Sequence, residues 1–376
     1  MTGWVPENQL GIFKRRIEER FGAVDVFELE PEENETPPVL LENPKPVKPI
    51  EIITKLYGLP RKGMLDPTPI IAPFYTLYFA FCLSDAGYGA IITLASILIL
   101  RKVKDEGIRQ VARFLLMMGL SSIVVGAIFG GYFGADIENS DSPLAKLLLN
   151  FKLIDPLRDA LTFFSITILF GIVQVSLGFI LRGYIQIKEN RSIVGKMRSL
   201  VVSLSWAIMV CSGGVFMCFF LRPDIFGPIT TLARKGLLFG ACGIFFGSLI
   251  FGLFGGKKLF TAIWDGVGFD GLYGFISVMG DLLSYSRILA LGLSTGVIAG
   301  VINIVAHQIK GIPLIGVILF ALVLAAGHTG LAAISSLGSF VHPARLQFVE
   351  FFTKFYESGG KPFKPLSQKL PLKRIR

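Results

Sequence analysis

Apolar runs of bilayer length recur along this chain from residue 70 onward, and they limit its fold more than any motif does. They cover residues 70–100, 112–134, 160–187, 199–221, 236–254, 268–308 and 312–356. A hydrocarbon core about 30 Å thick takes roughly 20 apolar helical residues. Charged residues make up only 17 % of the 376 and the mean hydropathy is +0.63. Soluble domains carry roughly 25 % charge, so this chain cannot coat itself as a soluble protein would. The fold class expected is an all-α polytopic membrane protein.

Residues 1–69 differ in composition. Residues 8–22 read as a short helix, residues 23–30 alternate like a strand, and residues 31–51 form a proline- and charge-rich linker. So few elements cannot bury a core. The segment therefore reads as a small α+β cytosolic remnant, the distal part of a larger N-terminal domain. The expected domains are 1–69 (cytosolic part and linker), 70–360 (membrane domain) and 361–376 (basic tail). The first apolar run begins near residue 70, so no N-terminal signal peptide is visible. Cys82, Cys211, Cys218 and Cys242 all lie in apolar stretches without metal-ligand spacing and read as buried thiols. Neither a metal nor a cofactor is expected.

The net charge of +10 sits in loops and tails, which argues for membrane topology and against nucleic acid. Loop 101–113 carries Arg101, Lys102, Lys104, Arg109 and Arg113. Loop 182–198 carries Arg182, Lys188, Arg191, Lys196 and Arg198, and the tail holds six basic residues from Lys361 to Arg376. Loop 134–160 is acidic, with Asp136, Glu138, Asp141, Asp155 and Asp159. The positive-inside rule then places both termini in the cytoplasm. Parity requires residues 70–100 to cross twice. The polar, glycine-bearing stretch "SDAGYGA" supplies the break, so a short helical hairpin turning at Asp85, Gly87 and Gly89 is expected, with eight transmembrane helices in all. The Asn190–Ser192 sequon falls in a cytoplasmic loop by this reading and is discounted. "GLFGGKKLF" lacks the Ser/Thr and the preceding strand of a phosphate loop, and no HExxH or dinucleotide fingerprint occurs.

The last two apolar segments are too long for a simple crossing. Forty helical residues extend about 60 Å, twice the hydrocarbon core, so each segment breaks or is a long tilted helix. Each also carries one arginine. In "GDLLSYSRILALGLSTGVIAG", Arg287 has apolar sequence on both sides, and Gly292, Gly296 and Gly300 form a small-residue stripe opposite it. Asp281, six residues back, is badly placed as an intrahelical partner. In "GSFVHPARLQFVEFF", Arg345 shares a face with His342, and Pro343 should weaken or kink the helix. A charge at a helix centre costs about 3 kcal/mol on insertion scales. A fixed cation there is either satisfied within the chain, by an ion pair or by snorkelling to the interface, or held for a carboxylate that another molecule brings to it; the apolar sequence on both sides of Arg287 fits snorkelling poorly.

The stretches "PFYTLYFAFCLSDAGYG", "GDLLSYSRILALGLSTGVIA" and "LGSFVHPARLQFVEFFTKFYESGGKPFKPL" resemble the membrane half of the rotary V/A-type ATPase stator subunit, subunit I of prokaryotic complexes and subunit a of eukaryotic ones. "TGWVPENQ" and "LYGLPRKGMLDPTPIIAPF" are similar to the distal end of that family's cytosolic domain. The resemblance implies eight membrane helices, the last two long, tilted and facing a ring of proteolipid rotor subunits. It implies ion (H⁺ or Na⁺) translocation by Arg287 and its companion Arg345, which displace the ion from each rotor carboxylate between two half-channels. Gln347 and Glu350 are the half-channel candidates on the cytoplasmic side, and Asp281 or His328 on the outer side. Ser284 and His342 lie beside the arginines. Asp85, Gln174 and Asn303 read as helix-packing hydrogen bonds. Eukaryotic members carry a glutamate ten residues before the second arginine, where this chain has Ser335. The implied partners are the proteolipid ring, peripheral-stalk subunits bound through the cytosolic domain, and central-stalk-associated subunits of the membrane sector. The implied location is the lipid bilayer of a prokaryotic cell, with no nucleic acid and no catalysis by this chain alone. The alternative from another class is a secondary transporter or channel that binds an anionic substrate at Arg287, for which inverted repeats would be required.

Overall fold

A computed structural model describes residues 3–22, 25–29, 35–61, 63–135, 137, 142–256, 258–264, 271–313 and 315–363. The chain divides into two compact units, Met1–Thr68 with Tyr356–Arg376, and Pro69–Phe355.

In the first unit, α1 spans Leu10–Phe21 and α2 spans Glu51–Tyr57. The alternating stretch expected as a strand has no strand where it is described, at 25–29. The sheet forms elsewhere: β1, Leu59–Pro60, pairs antiparallel with β2, Ser358–Gly360. Val39 joins the same C-terminal stretch, its N–H donating to Lys361 O at 2.7 Å and its carbonyl accepting from Phe363 N at 3.1 Å. The Tyr356 hydroxyl donates to Gly58 O at 2.7 Å. Residues near position 360 thus complete a layer that residues 25–29 do not supply. Residues 364–376, most of the basic tail, lie outside the described residues.

In the second unit the helices follow in chain order: α3 Thr68–Leu83, α4 Ala86–Lys102, α5 Glu106–Phe129, α6 Pro143–Leu149, α7 Ala160–Glu189, α8 Ile193–Leu221, α9 Pro223–Phe226, α10 Thr230–Phe254, α11 Leu259–Trp264, α12 Gly274–Ser284, α13 Ser286–Lys310 and α14 Gly316–Arg345. A π-helical stretch, Leu346–Phe352, and a last short turn, α15 Thr353–Phe355, continue α14. Among the described residues, six spans are long and apolar enough to cross a membrane: Glu106–Phe129, Ala160–Glu189, Ile193–Leu221, Pro223–Phe254, Gly271–Lys310 and Gly316–Phe355. The protein is an all-α integral membrane protein.

Contacts fix the direction of each helix. Tyr75 meets Phe114 at 5.8 Å and Phe81 meets Phe129 at 5.8 Å between ring centroids, so α3 and α5 run parallel. Gly89 faces Ile123 and Gly126 faces Ala86, so α4 runs the other way and α3–α4 is a hairpin. Phe179 stacks on Trp206 at 5.2 Å while Ser165 O faces Cys218, which makes α7 and α8 antiparallel. Gly240 on α10 packs against Met209, and Gly247 against Val201. Gly327 on α14 packs against Ile302 and Gly338 against Leu291. Every consecutive long helix reverses direction.

The hairpin turn is tighter than expected. It consists of Ser84 and Asp85, with Ser84 at φ 50° and its hydroxyl bonded to Phe81 O. Asp85 then caps α4 by accepting from Tyr88 N at 3.0 Å, which satisfies one orphan N–H of the first turn. Gly87 and Gly89 lie inside α4 and not in the turn. They serve close packing: a Cβ at Gly89 would stand 2.9 Å from Ile123 N and 3.0 Å from Gly119 O.

α5 ends at Gly130, whose φ of 69° suits a left-handed C-cap. The following loop folds back, with Leu153 N donating to Ile128 O at 2.9 Å. Asp155 holds it. Burial alone would raise its carboxyl, but Lys152 Nζ at 2.9 Å and the Leu157 and Arg158 amides hold it below the usual carboxylate range. A depressed folded-state pKa contributes stability above the ordinary value and loses it as pH falls through the lowered one. Protease cleavage of residues 150–158 should therefore rise as pH drops into the acid range. Asp155→Asn should show the raised rate at neutral pH, with little further dependence on pH.

The last two spans are each 40 residues long. Gly271–Lys310 is interrupted only at Tyr285, a single turn residue between α12 and α13. The helix carrying Pro343 does not end there. It continues to Arg345 and is followed by the π-helical stretch, while Pro343, which has no N–H to donate, leaves the carbonyl of Ser339 one turn back without its helical partner.

Candidate functional site

These two spans are also the least buried. Buried residues make up 22 % and 11 % of their apolar windows, against 56 % for Ala160–Glu189. Leu283, Val297 and Ile304 on one, and Ile334, Leu337, Val341 and Val349 on the other, are exposed. An apolar helix pair left uncovered has lipid or another chain as its neighbour.

Arg287 is the second residue of α13, three residues after the α12 end. Ile288 N bonds back to Tyr285 O at 3.1 Å, so the helix restarts on Tyr285 and carries Arg287 with it. The guanidinium forms no ion pair with any acid among the described residues, and its Nη1 is buried without a hydrogen-bond partner. Arg345 is exposed at the end of α14 and likewise has no acidic partner among the described residues. The antiparallel packing of α13 on α14 brings His342 within electrostatic reach of both guanidiniums. The glycine stripe opposite Arg287 packs unevenly. A Cβ at Gly292 would meet Phe81 O at 2.6 Å, one at Gly296 would touch only Leu157 at 3.8 Å, and one at Gly300 would meet nothing.

Polar groups gather in three places around the arginines. At one end, Glu350 on the π-helical stretch lies within electrostatic reach of Ser284, Arg287 and Asp281. Glu350 is buried and its Oε2 has no hydrogen-bond partner. Asp281 is paired with Lys354 Nζ at 2.5 Å, and that ammonium stands 5.5 Å from the Phe179 ring. Asp281 thus sits beside Glu350 and far along the helix from His328, with which the sequence reading grouped it.

At the other end, His328 Nδ1 meets the Tyr88 hydroxyl at 2.7 Å and its Nε2 meets Asn303 Oδ1 at 3.1 Å. Asn303 in turn donates to Phe133 O at 2.8 Å. Asp85 begins the same helix turn as Tyr88. Between the two ends, the Thr295 hydroxyl donates to Ser335 Oγ at 3.2 Å, a bond between neutral groups.

The third gathering is buried. Gln174 on α7 donates to Gln347 Oε1 at 2.5 Å and accepts from the Tyr285 hydroxyl at 3.0 Å. Tyr285 packs edge-on against Tyr78 at 5.7 Å. Gln347 is fully buried in this cluster. Tyr88, Lys354, Tyr285 and Thr295 were not singled out from sequence, because their partners are distant in the chain. Among the described residues no three His, Cys, Asp or Glu side chains gather as a metal site.

No protein-family model matches the chain. Curated relatives do. The A-type ATP synthase subunit I of Thermococcus kodakarensis is 33 % identical over 390 residues, an alignment covering 100 % of this chain and 55 % of that protein. That of Methanocaldococcus jannaschii is 31 % identical over 395 residues, covering 97 % and 54 %. That of Archaeoglobus fulgidus is 29 % identical over 408 residues, covering 98 % and 58 %. The chain spans about half the length of the curated relatives it matches.

Proposed function

Since the chain belongs to the family of A-type ATP synthase subunit I, we propose that it is the non-catalytic stator subunit through which ions cross the membrane against a rotating proteolipid ring. One observation carries this reading: Arg287 has no acidic partner among the described residues, on a helix pair whose apolar faces are largely uncovered.

The physical logic is direct. A rotor carboxylate at membrane depth can face lipid only when protonated or ion-loaded, because a bare charge in hydrocarbon costs several kcal/mol. Arginine keeps its charge and offers a fork of donors that fits a carboxylate. Arg287 captures each arriving carboxylate, displaces its ion and bars a direct leak. Arg345 serves as the second cation, with His342 within electrostatic reach of both. The path on the cytoplasmic side runs by Glu350 and Ser284, with Asp281 held by Lys354. The outer path runs by His328, Tyr88 and Asn303. Gln347 faces inward to Gln174 and is not assigned to either path.

Eight crossings complete the picture. The alternating helix directions support it, with α3 and α4 as a short pair beside the six long spans. α3 has 16 residues, about 24 Å of helix, which suits a hairpin seated against other helices. Both termini then lie in the cytoplasm of a prokaryotic cell, and the first unit meets the stalk subunits.

Cysteine cross-linking tests the rotor-facing role. In a chain lacking its four native cysteines, Ala290→Cys and Val341→Cys place thiols on exposed positions beside the two arginines. Oxidation in native membranes should join each to a cysteine scanned along the proteolipid's outer helix. Cross-links from Leu221→Cys and Arg191→Cys alone, with none from the arginine faces, would overturn the reading and leave the anion-transporter alternative standing.

A further inference from the structure

We infer that Gln174 is a positioning residue that sets Arg287 and Arg345 relative to each other; this rests on the reading that those arginines meet the rotor carboxylate. Gln174 lies on α7, which carries neither arginine. Its amide reaches both helices that do. Its oxygen accepts from the hydroxyl of Tyr285, two residues before Arg287, and its nitrogen donates to Gln347, two residues after Arg345.

The two points it holds are the irregular ones. Tyr285 is the turn residue at which α12 ends and α13 restarts. Gln347 is the second residue of the π-helical stretch that follows Arg345. Regular helix fixes its own side-chain directions, whereas breaks and π-turns allow the axis to swing. A bond at each break removes that freedom where it would displace an arginine most. The seat is shaped for it. Gly171, one turn before Gln174 on the same face, lies flat under the Tyr285 ring, and a Cβ there would meet the ring at 2.7 Å. Tyr78 closes the far side. All four polar side chains, Gln174, Gln347, Tyr285 and Tyr78, are buried with no measurable exposure, so water cannot replace a lost bond without opening the packing.

The chemistry at Gln174 is neutral and touches no ion. Its effect is geometric. Charge capture depends on where the two cations stand relative to the path of the passing carboxylate, and in enzyme active sites a misplacement near 1 Å can cost about 10²-fold.

The test uses the assembled complex in sealed vesicles, with complex content, ATP hydrolysis, ion uptake per ATP and passive ion leak measured together. Gln174→Leu keeps the volume and removes both bonds. Uptake per ATP should fall about tenfold and passive leak should rise, with hydrolysis retained. Tyr285→Phe removes one hydroxyl and should give a smaller fall in the same ratio. The double variant should be no worse than Gln174→Leu, because the hydroxyl then has nothing to hold. Gln174→Glu, which still offers an oxygen to Tyr285, should recover part of the loss. Unchanged uptake per ATP and unchanged leak in Gln174→Leu overturn the inference, as does a loss explained wholly by lower complex content. If Gln174→Leu fails to assemble, Tyr285→Phe decides by the same ratio. Arg287→Ala run in parallel separates the two levels. Coupled uptake there removes the underlying reading; uncoupled uptake there with a coupled Gln174→Leu removes only this inference.

Discussion

Arg287→Ala in the assembled complex should lower ATP-driven ion uptake into sealed vesicles to about 10²-fold below the unaltered chain. That is the scale on which losing one preorganised group from a low-dielectric site acts. The argument runs from solvation. On the proposed reading, a rotor carboxylate finds no counter-charge at the stator once the guanidinium is gone, so it does not release its ion and the ring carries that ion past the exit. No acid of this chain among the described residues holds Arg287, so removing it leaves no orphaned carboxylate in an ion pair, and the loss is functional before it is structural. Arg287→Lys tests the same point more finely. It preserves the charge but loses the planar fork, and the shorter reach of a single ammonium should leave uptake well below normal. Arg222→Ala provides the contrast. Arg222, between two spans, is tied at 3.0 Å to Asp159 and at 3.3 Å to Asp224, both at span ends far in sequence from Arg287, and its loss should change uptake per ATP little. Fully coupled transport by Arg287→Ala would end the translocation reading.

Much of this architecture was open to inspection in one dimension because its cause is one-dimensional. The long spans follow from runs of apolar residues, and the expectation of a helical hairpin within 70–100 follows from the basic residues on either side. Arg287 stood out for the same reason, as a charge where the run predicts none. The register of the hairpin turn did not stand out. Glycines at 87 and 89 look like turn residues, but their use is to let α4 lie against Gly119 and Ile123, and a close approach has no signature separate from a turn. The strand near Leu59 was hidden because its partner is at Ser358–Gly360. The polar gatherings were hidden likewise: Tyr88 and His328 are 240 residues apart, and Gln174 and Gln347 are 173 apart. Gln174 was legible as a buried amide needing partners, but not as one that joins both arginine-bearing helices. Asp281 looked free of its own helix, and nothing local tied it to Lys354.

Gly126→Ala should cost more than any other single methyl added to the long helices considered above. On water-exposed helices, Gly→Ala gains about 1 kcal/mol; here the sign reverses. A Cβ at Gly126 would lie 2.5 Å from the Asp85 carbonyl carbon and 2.8 Å from Ala86 Cα. Those are backbone atoms of the hairpin turn, and no rotamer change can move them aside. The turn is also tied down, with Ala86 N donating to Gly131 O at 2.8 Å. Over-packing that can relax costs about 1–3 kcal/mol, and backbone obstruction falls at or above the top of that range. The full chain purified in detergent should therefore melt many degrees lower as Gly126→Ala. Gly300→Ala, whose added carbon meets nothing within 4 Å, should melt unchanged or slightly higher. Equal melting of the two variants would show that the hairpin is not seated on α5 as described. The consequence reaches the arginine. Gly292 of α13 rests on Phe81 O and Ser84 at the same hairpin tip, at 2.6 and 2.7 Å for a Cβ there, five residues beyond Arg287. A hairpin pushed off α5 shifts the surface against which α13 is positioned. Gly126→Ala protein that still assembles at low temperature should accordingly lose uptake per ATP, while Gly300→Ala keeps it.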